Sequence, residues 1–383
     1  MNSKEAPLYF DNNATTQVDP AVMHEMLPFL SQWYGNPSSP YSMGKRVAEA
    51  LERAREQVAA LIGADPSEIL FTSCGTESTN AAIHSALSVD RDAQHIITSR
   101  VEHSATLKTC EKLAKQGYEI TWLGVDSKGQ LDLEALEKSI RSDTALVSLM
   151  WANNETGTVF PMQDILQIVK RKGVFFHTDA VQVIGKLPVQ LKDSGVQFLS
   201  LSGHKLHCPK GVGALYVNKR SRFTPFVTGG GQENGKRAGT ENVASIVALG
   251  KACELAGAHL EQEAVMVRGL RDAFEQRVLA EVEGVQVNGD AHHRLPNTSS
   301  LAFEKADAEA LLHVLDSKGL FCSAGSACTS GSLHPSHVLK AMGYSDERAR
   351  SSLRFSFSRF NTAEEVSRGV EILKESVGRV RAN

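Results

Sequence analysis

The chain has no Cys-x-x-Cys pair, although it carries six cysteines at positions 74, 110, 208, 253, 322 and 328. That scatter through 383 residues argues against a disulfide framework. No block of one charge is present: 44 acidic residues face 41 Lys and Arg, for a formal charge of -3. Neither nucleic acid nor an anionic membrane is therefore expected as the main partner. No uninterrupted apolar stretch approaches a bilayer's thickness, and residues 1–7 have no apolar signal core and no Arg-rich amphipathic pattern. The expectation is a cytoplasmic protein. No His-Glu-x-x-His accompanies His292-His293 or the set His313, His334 and His337, so no metal of its own is expected.

What the chain does contain is enough apolar residue, 42%, to bury two cores, and a length beyond that of one. One segment stands apart. Residues 323–332 read Ser-Ala-Gly-Ser-Ala-Cys-Thr-Ser-Gly-Ser, so Cys328 is set among residues too small to anchor themselves in a core. A mobile loop carrying a thiol, as nucleophile or sulfur carrier, is the pointed reading. An ordinary Gly/Ser linker with an incidental cysteine is the plain one.

Between residues 44 and 220, helical spacing alternates with short apolar runs. Val47, Leu51, Ala54, Val58 and Leu61 share one helix face that stops at Gly63. Strands are expected at 69–72, 95–99, 118–125, 145–151, 174–179 and 198–202, with a helix at 162–172. This pattern predicts an α/β domain around a mainly parallel sheet, with ligands at the carboxyl ends of its strands. A long helical region follows at 241–282, then strands at 285–288, 299–303 and 353–358, which read as a smaller α+β domain. The boundaries expected are 16–255 for the large domain, and 1–15 with 256–383 for the small one.

Polar residues cluster at the strand ends. Gly75 and Thr76, with Ser73, open a helix after a strand, either as an anion cup for phosphate or as a plain capped helix. Asp179 ends an apolar strand, where a carboxylate needs a cation: a protonated ring nitrogen or a structural Lys or Arg. Ser202-Gly203-His204-Lys205 ends another, and a desolvated lysine there can form a Schiff base with an aldehyde; a surface lysine is the alternative. Asn154 and His103 sit just beyond two further strands. Together these supply the parts of a pyridoxal phosphate site.

With these motifs, the sequence resembles the NifS-like cysteine desulfurases, fold type I pyridoxal-phosphate enzymes of the class V aminotransferase group. The likeness runs from residues 9–16, Tyr-Phe-Asp-Asn-Asn-Ala-Thr-Thr, to residues 354–359, Arg-Phe-Ser-Phe-Ser-Arg. Its most specific parts are the Ser-Gly-His-Lys run at 202–205 and Gly-Ser-Ala-Cys-Thr-Ser at 325–330. The resemblance implies that Lys205 holds the cofactor, His103 stacks on its ring, and Asp179 pairs with the ring nitrogen. Asn154 and Gln182 would lie beside the ring and its phenolic oxygen. Gly75, Thr76, Ser202 and His204 would hold the phosphate, with Thr240 reaching in from a second subunit of a homodimer. Arg354 would clamp the substrate carboxylate, with Asn154 and Asn12 also on the substrate, and Cys328 would form a persulfide. The runs at 72–78, 229–233 and 237–242 point to the nitrogen-fixation-type branch. The chain departs from the pattern at His334, where an acid is expected, and at Cys208, in a small apolar position near Lys205; its short terminus leaves partner docking open.

The implied activity converts L-cysteine to L-alanine, with Lys205 moving the α-proton and His103 as an acid-base participant. Sulfur captured by Cys328 passes to a thiol acceptor, expected to be an iron-sulfur scaffold, to which Cys328 would be at most a transient shared metal ligand. The alternatives are a selenocysteine lyase or class V aminotransferase and, in another class, a sulfur-transfer scaffold that organises a complex without catalysis.

Overall fold

The alternating stretch from residue 69 to 217 folds into one sheet. The computed structural model describes residues 6–89, 92–325 and 335–382. Its strands are β1 Leu8–Tyr9, β2 Ile69–Thr72, β3 His95–Ser99, β4 Glu119–Leu123, β5 Thr144–Met150, β6 Phe175–Asp179, β7 Phe198–Ser202, β8 Gly213–Val217, β9 Val285–Val287, β10 Thr298–Phe303, β11 Leu320–Phe321 and β12 Ser352–Ser356. The large sheet has the order β2-β8-β7-β6-β5-β3-β4. All its neighbours are parallel except β8, which is antiparallel to both β7 and β2. Every residue of β5 is buried, as a strand covered on both faces requires. The architecture is α/β with a mainly parallel sheet, as the alternation predicts.

One apolar cluster joins the helix Ser42–Ile62, the helix Met162–Lys172 and the start of the helix Val243–Glu281 to the sheet. A second joins the helices Gly75–Val89 and Ser104–Lys115 to it. A third surrounds Phe10, Phe274, Phe355 and Phe357, against β10 and β12. The 39-residue helix Val243–Glu281 serves two cores, with Ile246, Leu249 and Cys253 in the first cluster and Val267, Phe274 and Val278 in the third. It is long and apolar enough to cross a membrane, a property the absence of an uninterrupted apolar run did not reveal. Its apolar residues are instead taken up largely by these cores. Antiparallel β9-β10-β12 form a separate three-stranded sheet, and β1 pairs with β11.

Candidate active site

Because they run parallel, strands β3 to β7 of the large sheet place their carboxyl ends on one side, where such sheets bind ligands. A cavity of about 200 Å³ opens there. Ten residues singled out from the sequence line it: Gly75, Thr76, His103, Asn154, Asp179, Gln182, Ser202, His204, Lys205 and Arg354. Thr240 is exposed and lies outside it. Asn12 is also outside, its amide donating to the Ser356 carbonyl at 2.9 Å. Cys328 and His334 fall outside the described residues.

Lys205 follows β7 in a short 3-10 turn, and its Nζ donates to the carbonyls of Asn13 (2.5 Å) and Ala14 (2.6 Å). Gly203, before it, packs so tightly that a Cβ would lie 3.0 Å from both the Cys208 sulfur and Val212 Cγ1. Burial pushes the Cys208 thiol far above its ordinary range, so this cysteine is a filler of the turn. His204, with Nδ1 3.2 Å from Thr15 Oγ1, is pulled down to about 4 by burial and by Lys205, Lys210 and other nearby cations, and is neutral at pH 7.

Asp179 ends β6, and its Oδ1 accepts from the Val181 N–H at 3.0 Å. Burial raises its carboxyl, against the opposing pull of His103 and Lys205. His103 caps the helix Ser104–Lys115, its Nδ1 accepting from the Ala105 N–H at 3.2 Å. With Nδ1 engaged as an acceptor, Nε2 is the ring nitrogen left to donate. Beside it Glu102 is wholly buried, accepts from Ser99 (2.6 Å) and the Met150 N–H (3.0 Å), and is raised to about 8 by burial. At the other end the helix Gly75–Val89 begins hard against residue 181: a Cβ on Gly75 would stand 2.8 Å from Val181 Cγ2. Arg354, on β12, is 2% exposed. It pairs with Asp11 at 2.8 Å and donates to the Asn154 carbonyl at 3.0 Å, while its Nε has no hydrogen-bond partner among the described residues.

The sequence reading missed Asn13, which also lines the cavity. Its side chain donates to the Asn154 carbonyl (3.1 Å) and to Thr298 (2.8 Å), and its oxygen accepts from Asn297. A run of polar residues directly after apolar Leu8 to Phe10 was the available signal, since buried polar groups are placed to be paired.

These residues fit pyridoxal phosphate. A buried carboxylate awaits a cation, an amine stands in the cavity, and the start of a helix, brought close by a glycine that admits no side chain, presents N–H groups to an anion. The chain matches the family model "Aminotransferase class-V" over residues 8–368. It is 52% identical over 375 residues to a protein of Nostoc sp. named cysteine desulfurase, covering 98% of this chain and 94% of that one. It is 50% identical over 377 residues, with the same coverage, to the cysteine desulfurase NifS of Azotobacter vinelandii. A solved structure titled NifS-like protein superposes with a TM-score of 0.92 at 39% identity, covering 97% of this chain and all of the other. A family match that spans nearly the whole chain, joined to relatives half identical to it, makes this protein a member of the class-V aminotransferases.

Proposed function

We propose that the protein is a cysteine desulfurase that converts L-cysteine to L-alanine and carries the released sulfur as a persulfide on Cys328. The observation that carries this reading is the convergence of Lys205, Asp179, the Gly75 helix start and Arg354 on one cavity, in a chain about half identical to curated cysteine desulfurases. The cofactor of the family is pyridoxal phosphate. It supplies an electron sink for the bond-breaking at the substrate.

The residues divide the rest of the work. Gly75, Thr76, Ser202 and His204 would hold the phosphate, and neutral His204 could accept or donate there without adding charge. Asp179 would pair with the ring nitrogen and keep a proton on it, which would also relieve the cost of its own burial. Gln182, Asn154 and His103, which line the same cavity, would be the neighbours of the ring. Arg354 offers its fork to the substrate carboxylate, already oriented by Asp11. Lys205 Nζ takes the α-proton and returns a proton to carbon. The Cys328 thiolate attacks the substrate sulfur: an S–S bond forms, the C–S bond breaks, sulfur is oxidised and the carbon that becomes the alanine methyl is reduced. No outside oxidant is required.

The same reading extends to a cytoplasmic homodimer in which exposed Thr240 reaches the partner's phosphate site, to a large domain of 16–255 beside a small one of 1–15 and 256–383, and to an iron-sulfur scaffold as acceptor. Cys322 is the contrasting thiol, because burial and Asp11 push it well above the thiol range. Cys328→Ala should keep the cofactor and respond spectrally to L-cysteine yet release no alanine, while Cys322→Ala stays active. Alanine and sulfide measured in parallel decide it; desulfuration retained in the first variant would sink the assignment.

A further inference from the structure

A second amine lies close to Lys205. Lys186 lines a cavity of about 50 Å³ that shares Lys205 as part of its wall. Its Nζ donates to the main-chain and side-chain oxygens of Gln182, each at 3.0 Å. The other end of the Gln182 amide donates through Nε2 to the Asn13 carbonyl at 3.1 Å, the carbonyl that also accepts from Lys205. Each contact dictates the direction of the amide. An ammonium can only donate, so it selects Oε1; a carbonyl can only accept, so it selects Nε2. One Nε2 hydrogen remains, on a residue that lines the larger cavity.

We propose that Lys186 is a positioning residue that locks the Gln182 amide so that the group it offers to the cofactor cavity is a hydrogen-bond donor. This rests on the reading that places the cofactor's phenolic oxygen beside Gln182. A fixed donor stabilises that oxygen as an anion and disfavours its protonated form. Asn12 and Asn13 are adjacent in sequence, yet Asn13 supplies the acceptor of this lock.

The charged and titratable groups around Lys186 are Lys205, His204 and His207 on the segment after β7, Arg354 on β12, and the ion pair of Glu263 with Arg359. His204 and His207 are both pulled down to about 4, so neither changes charge between pH 6 and 10. Burial, helped by Lys205 and Arg354, draws Lys186 itself down to about 7. The neutral amine keeps N–H donors for both Gln182 oxygens, so the lock survives deprotonation, whereas methionine offers none.

The test is a visible-absorbance titration of protein reconstituted with pyridoxal phosphate, from pH 6 to 10, for wild type, Lys186→Met, Lys186→Arg, Gln182→Ala and the Lys186→Met/Gln182→Ala double variant. Lys186→Met should raise the midpoint of the colour transition by about half a pH unit, roughly threefold in the equilibrium. Lys186→Arg, which keeps the donor, should hold it near the wild-type value and shows that the position tolerates a change of side chain. In the Gln182→Ala background the effect of Lys186→Met should fall below half. An unmoved midpoint in Lys186→Met overturns the proposal, and so does an equal shift in the Gln182→Ala background, which would mean that Lys186 acts by charge alone. Borohydride labelling of wild type separates the two readings. A label away from Lys205 removes the cofactor placement and this proposal with it, whereas a label on Lys205 with no midpoint shift removes only the role of Lys186.

Discussion

Arg354 is the residue whose setting says most about the reaction. A guanidinium 2% exposed must have its charge answered, and Asp11 does so at 2.8 Å while the Asn154 carbonyl takes a second donor. The fork is thus oriented before any substrate arrives, and Nε is left without a partner among the described residues. Lysine could keep the ion pair with Asp11 but not the planar two-point grip on a carboxylate. Arg354→Lys should therefore retain the cofactor's colour and raise the KM for L-cysteine by about 10- to 100-fold, the size of one to two lost charge-assisted hydrogen bonds. Steady-state alanine production checks this, and a KM near that of wild type would mean that the carboxylate docks elsewhere. Arg354 was legible in the sequence through its motif. Asp11, which orients it, stood in a quoted motif without a role, because a pairing between residues 343 apart in sequence leaves no periodic trace.

At the scale of elements, strands carrying continuous apolar runs were legible, and their observed ends differ from the expected ones by a few residues. β4 was expected at 118–125 and occupies Glu119–Leu123, because its ladder reaches only as far as neighbouring β3, from His95 to Ser99. Strand β8, Gly213–Val217, went unforeseen. Only residues 203–212 separate it from β7, too few for a parallel crossover, so its antiparallel direction was available from length alone. Gly213 has a packing reason as well: a Cβ there would meet the Leu201 carbonyl oxygen at 2.7 Å and Cys74 main chain at 2.9 Å. The helix Gly75–Val89 is set by the same kind of close approach. A methyl at residue 75 needs space that Val181 occupies, so Gly75→Ala should shift the helix start away from the cavity, where it is proposed to hold the phosphate. The expected outcome is a cofactor dissociation constant raised about tenfold or more, with the far-ultraviolet circular dichroism unchanged, in line with roughly 1–3 kcal/mol for overpacking. Cofactor titration followed by absorbance checks it; wild-type affinity would show that the helix start plays no part in holding the phosphate.

Over the whole molecule, the cavity takes Lys205, Asp179, Gln182 and the Gly75 helix start from the large sheet, but Arg354 from β12 of the other. A ligand that touches both groups must couple their stabilities. Asp179 makes this measurable. In the cofactor-free chain its burial raises its carboxyl, so the folded state holds a proton that the unfolded state gives up, and stability falls as pH rises from the unfolded pKa through the folded one. Asn at this position has the shape without the titration. Cofactor-free Asp179→Asn should therefore melt higher than the cofactor-free wild type at pH 8, with the difference shrinking toward pH 4. On reconstitution the order should reverse, because only the carboxylate gains an ion pair with the ring nitrogen. Wild type should gain on the order of several degrees in Tm, and the variant less. Melting curves of both proteins, with and without cofactor at pH 4, 6 and 8, test the argument. An Asp179→Asn variant that is less stable without cofactor at pH 8, or that gains as much from it as wild type does, would show that this carboxylate serves the fold and not the cofactor.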